Sequence, residues 1–320
     1  MLRFLVRRIF QGAIVMVLVT IAVYVLFFHG SPEAVARRLA GRQATQETVD
    51  RVYHNLGLDQ PFWVQYWHFL VRLVHGDLGH DYYNGVPVTT VLKQAVPITA
   101  SLAVGAAIIW LILGVGSGVY SSIRARTFTD RAFTGIALFF YSTPVFVLGL
   151  GLIYLFFYEF TIHGVHWFPA TGYVGITTSP YHWFQHLVLP WLSLALISAA
   201  VYTRLSRTSM LEVLGEDYIR TARAKGLSER RVILRHGLRS ALTPIVTQFG
   251  IDVAVVLGGA ILTETIFGLP GLGWNAVKAI NNQDLPLIVG IVIVAAAAVV
   301  VANILVDMVY AVLDPRVRLH

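Results

Sequence analysis

An all-α integral membrane protein with six transmembrane helices is the fold class this sequence predicts. Three observations point to it. Hydrophobic residues make up 56% of the 320-residue chain. They gather into six stretches near or above the length of about 20 residues that a helix needs to cross the hydrocarbon core. Lys and Arg, which give a formal net charge of +7, fall into short clusters beside those stretches, as membrane topology requires and as a nucleic-acid surface would not. With no cysteine, the chain has no disulfide framework, thiolate metal site or cysteine nucleophile.

In chain order the expected spans are Ile9 to Phe28, Pro97 to Tyr120, Ala132 to Tyr158, Leu187 to Tyr202, Ile245 to Phe267 and Leu287 to Val306. The first is too long for a signal-peptide core and no small-residue cleavage site follows it, so it reads as a retained anchor. The fourth is short and needs a further turn from Trp183 to His186 or from the basic stretch after Tyr202. Arg3, Arg7 and Arg8 precede the first span, Arg124, Arg126 and Arg131 follow the second, and nine basic residues lie between Tyr202 and Pro244. Arg316 and Arg318 close the chain, whereas Glu159 to His186 has no Lys or Arg and the last outer loop has only Lys278. Both termini are therefore expected in the cytoplasm.

The expected organisation is residues 1–28 as cytoplasmic N-terminus and first helix, 29–96 as a long outer loop, and 97–320 as a five-helix core containing a cytoplasmic loop at 203–244. The outer loop balances six basic against six acidic residues, and loops of this length cross largely regardless of charge. Within it, Thr45 suits an N-cap, Val49, Val52 and Leu56 repeat at helical spacing, and Gly57 suits a C-cap. After Pro61, the aromatic run Phe62, Trp63, Tyr66, Trp67, Phe69 is too short to span and suits the outer membrane surface.

The longest cytoplasmic loop reads Glu216-Asp217-Tyr218-Ile219-Arg220-Thr221-Ala222-Arg223-Ala224-Lys225-Gly226 and then Leu227-Ser228-Glu229-Arg230-Arg231. Acidic residues at the start and basic ones toward Lys225 match a helix dipole, and Gly226 is placed to end the helix. A second helical stretch, with Val232, Ile233, Leu234 and Leu238 as apolar contacts, is expected before Pro244. The loop is thus a rigid helix-turn-helix projection, or alternatively a positive-inside anchor on anionic headgroups.

This segment resembles the EAA loop of ABC importer permeases, whose E-A-A-x-x-x-G core forms the coupling helix seated in a cleft of the ATPase subunit. Here Arg220, Thr221 and Ala222 stand at the E-A-A positions and Gly226 at the glycine, and Leu242-Thr243-Pro244 stands for a downstream Leu-Pro. These departures are similar to the dipeptide, oligopeptide and nickel branch, in which R-T-A-R-A-K-G-L is usual. Further likeness runs through Leu56-Gly57-Leu58-Asp59-Gln60-Pro61 with Gln65-Tyr66, and Gly76-Asp77-Leu78-Gly79. It continues in Leu262-Thr263-Glu264-Thr265-Ile266-Phe267 with Leu269-Pro270-Gly271-Leu272-Gly273, and in Asn303, Val306-Asp307, Tyr310 and Asp314-Pro315-Arg316.

The resemblance implies a type I ABC importer permease fold in a bacterial inner membrane. It also implies three kinds of partner: a second homologous permease, two cytoplasmic ATPase subunits or domains carrying ATP and Mg, and an extracytoplasmic substrate-binding protein. No cofactor is expected on this chain, which lacks a G-x-x-x-x-G-K-[ST] phosphate loop, an H-E-x-x-H pair and a G-x-S-x-G elbow. Peptides are the substrate the likeness favours. Passage of nickel or another metal complex, a self-sufficient channel or secondary transporter, and a scaffold without transport are the alternatives.

Candidate path residues are few. Asp252 is an intramembrane carboxylate that must be paired, hydrated or protonated, so it belongs either on a watery path or in a satisfied packing contact. Glu264 lies near the end of the same expected span. Ser142-Thr143-Pro144 predicts a kink in the third span, because proline lacks an amide donor and crowds the preceding turn. The Gly258-Gly259 pair suits close packing or bending, and Asn303 and Asp307 suit interhelical bonding. Nine of eleven histidines fall at outer positions: His29, His54, His68, His75, His80, His163, His166, His182 and His186. His182 and His186, four residues apart, would put two imidazoles on one helix face, and no accompanying carboxylate or third ligand is evident.

Overall fold

The computed structural model describes residues 2–28, 33, 36, 37, 40, 44–55, 59–82, 84–257 and 260–313. His29, the run Leu56-Gly57-Leu58, the Gly258-Gly259 pair and Asp314-Pro315-Arg316 lie outside the described residues. Among those described, the elements are α1 (Leu2–Phe28), α2 (Gln46–Asn55), α3 (Phe62–Val74), α4 (Val88–Ile123), α5 (Phe128–Ser142) and α6 (Val145–Ile162). The second half contains α7 (Pro180–Leu214), α8 (Asp217–Ala224), α9 (Glu229–Leu257), α10 (Ile261–Ile266), α11 (Leu272–Asn282) and α12 (Leu285–Leu313). Six of these, α1, α4, α6, α7, α9 and α12, contain stretches long and apolar enough to cross a bilayer.

Two spans differ from expectation. The third is not one kinked helix from Ala132 to Tyr158: α5 stops at Ser142, Thr143 is extended (φ −87°, ψ 121°), and α6 begins after Pro144. A residue before proline is pushed out of the helical region by the proline ring, and here the displacement breaks the helix outright. In the fifth, helix begins at Glu229, runs through Pro244 and ends at Leu257, while Leu262 to Ile266 form part of the separate α10. The fourth span gains turns at both ends, reaching from Pro180 to Leu214.

The core lies where α4 and α7 run against each other. Trp110, Leu102, Leu187, Leu189 and Tyr202 are fully buried along this seam. Close approach is possible because α4 presents glycine there. A Cβ on Gly114 would sit 2.4 Å from Tyr202 Cβ, and one on Gly118 would sit 2.5 Å from the Thr203 carbonyl oxygen and 2.6 Å from Ser206 Cβ. Lipid offers no hydrophobic driving force between helices, so such backbone proximity is what lets van der Waals contact hold them.

Thr45 caps α2 as its sequence suggests: its hydroxyl accepts the Thr48 N–H at 3.4 Å and its carbonyl the Val49 N–H at 3.0 Å. Helix α3 lays Tyr66 and Phe69 against Tyr24 of α1, with Tyr66 and Thr20 hydroxyls 2.9 Å apart, and leaves Trp63 and Trp67 exposed. Near the start of α12, Asp284 accepts the Leu287 N–H (3.2 Å) as a helix cap and the Tyr82 N–H (2.9 Å) from the long loop. Asp81, itself buried and bonded by Asn84, lies beside it, and Lys278 lines the same small cavity. Burial and the neighbouring Asp81 carboxyl push Asp284 up to about 7.

Replacing Gly118 by Val should destabilise the α4–α7 seam by about 2 kcal/mol or more through overpacking, read as a lower midpoint of thermal unfolding in detergent. At Asp284 the sign of the pH effect follows from linkage. A raised folded-state pKa means the native state holds a proton that the unfolded chain has released. The stabilisation is full below the ordinary carboxylate range and is lost as pH rises toward about 7. The same midpoint should therefore fall between about pH 5 and pH 8, and Asp81→Asn should flatten that fall.

Candidate functional site

Helix α8 and its flanking turns form the site. After Leu214, the amides of Gly215 and Glu216 bond back to Glu212 (3.1 Å) and Val213 (3.1 Å), which ends α7 tightly. Glu216 is extended (φ −70°, ψ 149°), and its carbonyl accepts the amides of Ile219 and Arg220 to start α8. At the other end Gly226 takes φ +74°, its amide bonds to Arg223 O (2.9 Å), and the Leu227 amide bonds to Ala222 O (3.4 Å). This pair of bonds is a Schellman motif, in which the residue past the cap must be left-handed and glycine adopts that conformation without a steric penalty. A Cβ added at Gly226 meets nothing within 4 Å, so its backbone angle, not crowding, calls for glycine here.

One face of α8 is anchored. Ile219 has no exposed surface and Ala222 is 8% exposed, and both pack on Val232 of α9 with Val213, Leu214 and Leu227 around them. Arg223 spans the turn as a fork onto Glu229, Nε to Oε2 at 3.1 Å and Nη2 to Oε1 at 2.7 Å. Tyr218 donates to Ser240 Oγ at 3.1 Å. Together these contacts tie α8 to the first turns of α9 as well as to the end of α7. The other face is solvent-exposed and carries Glu216, Asp217, Arg220, Thr221, Ala224 and Lys225, with Arg220 paired to Asp217 at 3.3 Å. Its polar side chains present cationic, anionic and hydroxyl groups on a short rigid rod.

The residues expected to couple included Ala222, which is buried, with the exposed ones, but not Ile219, the centre of the anchor. The signal was present: Ile219 and Ala222 are three apart, so they share a helix face, and Val232 and Ile233 are buried opposite. It also expected the second stretch of the loop to be a separate helix before Pro244, whereas it forms the first turns of α9. Outside the long helices the connection is only 215–228.

The path candidates make contacts of their own, apart from those of α8. Asp252 on α9 accepts from Tyr202 of α7 (2.8 Å) and from Gln248 (2.9 Å), a satisfied interhelical contact. Glu264 has no exposed surface: Thr99 donates to Oε1 at 2.6 Å and the Trp274 amide to Oε2 at 2.9 Å. It thus serves as the side-chain cap that Gly271 cannot supply to α11, and a Cβ on Gly271 would fall 2.5 Å from that carboxylate. Ser142 and Pro144 are exposed at the break between α5 and α6, with Thr143 half-buried. His182 Nδ1 lies 2.9 Å from Gln185 Oε1 and His186 Nδ1 lies 2.8 Å from the His182 carbonyl, and the described residues contain no cluster of three or more potential metal ligands.

Comparison with known proteins decides the family. The model for the binding-protein-dependent transport system inner membrane component matches residues 111–319, and that for the N-terminal part of such membrane components matches residues 1–103. The chain belongs to this family. It is accordingly a multi-pass inner-membrane protein. It is 39% identical over 98% of its length, and 99% of the relative's, to a protein of Sinorhizobium fredii named a probable peptide ABC transporter permease protein, y4tP. To the dipeptide transport system permease protein DppB of Escherichia coli it is 37% identical over 99% of both chains. A chain of the methionine ABC transporter MetNI, in inward-facing form, matches with a TM-score of 0.52 at 16% identity, covering 70% of this chain and 97% of that one. That likeness establishes the type I importer permease fold.

If backbone angle alone selects Gly226, then Gly226→Ala should weaken the Schellman turn by about 1 kcal/mol and Gly226→Asn by less. Amide hydrogen exchange at Leu227 should speed up about fivefold in the Ala variant, and stay near the parent rate with Asn.

Proposed function

We propose that this chain is the permease subunit of a peptide importer, without an ATPase site of its own, and that α8 is its coupling helix. The observation carrying this reading is a short helix whose inner face is fixed to two spans and whose outer face is exposed and mostly polar. A tether would not need Ile219 buried, and a headgroup anchor would not need the Arg223–Glu229 fork that ties it to α9. In the complex, two ATPase subunits or domains, which bind the ATP and Mg, receive α8 of this chain and of a second, homologous permease.

The distribution of Lys and Arg supports placing α8 and both termini in the cytoplasm. A substrate-binding protein then meets the opposite face, where α3, α11 and the long loop lie. Peptide is the cargo because the relatives that match over nearly their full length are named for peptide and dipeptide transport. Closure of the ATPase pair pulls α8, and with it the ends of α7 and α9, so that the permease pair exchanges inward-facing and outward-facing states. Asp252 and the α5–α6 break at Ser142-Thr143-Pro144 are the residues of this chain proposed to respond along the path.

Single cysteines at Arg220 or Ala224, both exposed, should cross-link to the ATPase subunit in membranes holding the whole transporter, and a cysteine at buried Ile219 should not. A bulky residue at Gly226 should leave the complex assembled while peptide taken up per ATP hydrolysed drops about tenfold. Undiminished transport in that variant, or absence of the cross-links, would overturn the coupling role.

A further inference from the structure

A second polar constellation lies at the α8 end of the bundle, apart from α8 itself. Asp130, in the first turn of α5, is 4% exposed and is the meeting point of three elements. Arg207 of α7 reaches it as a fork, Nε to Oδ1 at 2.7 Å and Nη2 to Oδ2 at 2.8 Å. Ser121 of α4 donates to Oδ1, and the Arg126 amide of the α4–α5 turn donates to Oδ2 at 2.8 Å. Arg126 holds a left-handed φ of +68° there, unusual for a residue with a Cβ, and the Asp130 contact accompanies that strained turn. Every contact on the carboxylate is a donor, and Arg207 holds it well below the usual carboxylate range, with Ser121 adding to the effect. The group stays ionised across physiological pH.

Location gives the constellation its meaning. Arg207 sits about two turns before the end of α7. One turn further on, Met210 is fully buried against Ile233 and Ala241 of α9, and the next layer is Val213 and Leu214 packing on Ile219 and Ala222. Contact is therefore continuous from the exposed face of α8, through the last turns of α7, to Asp130. Gly118 of α4 lies against Ser206 and the Arg207 backbone in the same layer, so the two helices are in close backbone contact there.

We propose that Asp130 and Arg207 are a positioning pair that makes the α8 ends of α4, α5 and α7 move as one body, so that displacement of α8 reaches the second and third spans rather than bending α7 alone. This rests on the coupling role given to α8 above. A forked pair with both carboxylate oxygens filled suits the task, because it fixes orientation as well as distance.

The test uses the complete transporter in proteoliposomes, with spin labels on cysteines at exposed Phe128 and Leu211 and a second pair reporting α8 against α1. In the parent complex the 128–211 distance should hold within about 2 Å between the nucleotide-free and the ATP-trapped state, while the α8 pair shifts. In Asp130→Asn and in Arg207→Lys, which keeps the charge but loses the fork, the 128–211 distance should broaden or change on trapping. Peptide imported per ATP should fall about tenfold with the ATPase subunits still co-purifying, whereas Arg51→Gln, which breaks an exposed pair in α2, should change neither. A parent 128–211 distance that changes on trapping refutes the clamp whatever the variants do, and so does a normal transport ratio in both variants. If the α8 pair does not move in the parent either, the coupling role fails first and takes the clamp with it.

Discussion

Burial of Ile219 and Ala222 against Val232 turns an eight-residue helix into part of the bundle. Alone, a helix this short is not stable in water, because nucleation is unfavourable and few bonds follow it. Here the ends are set by backbone geometry, extended Glu216 at one and left-handed Gly226 at the other. The fork from Arg223 to Glu229 closes the turn into α9. Without the apolar contact the exposed residues would sit on a loop with many conformations, and force applied to them would be spent in bending it.

The same logic recurs where polar groups are withdrawn from solvent. Asp130, Asp252 and Glu264 each have both carboxylate oxygens occupied by donors from other turns or other helices, which is what makes an acid in an apolar body tolerable. Each also joins elements distant in sequence: α5 to α7, α9 to α7, and α10 to α4. The carboxylates therefore act as fixed joints between helices that packing alone would leave free to shift.

Span number, the two short helices of the long loop, the cap at Thr45 and the ending of α8 at Gly226 were all legible in the sequence, because each rests on local chemistry: apolar length, cap residues and a dipole-matched charge order. Helix limits were less so. Hydropathy stops a span where charge begins, yet α7 and α9 carry on past their apolar stretches, since water beyond the bilayer accepts exposed Arg204 and Arg235 on a helix as readily as on a loop, and Arg207 is held there by Asp130. Thr143 became a break rather than a kink through the restriction proline places on its predecessor. The capping contact of Glu264 was not legible, because sequence shows that an acid is present, not that Thr99 and the Trp274 amide converge on it from 165 and 10 residues away. The pairing of Asp130 with Arg207, 77 residues apart, had no local signal beyond the charges themselves.

In the proposed function this chain is a lever and a wall, driven by a nucleotide-hydrolysing neighbour. Its most direct test is peptide uptake into vesicles containing either this chain alone or the full assembly of two permeases, ATPase subunits and binding protein. The account predicts no flux from the chain alone under any gradient, and ATP-dependent uptake from the assembly. Peptide flux through the isolated chain would contradict it.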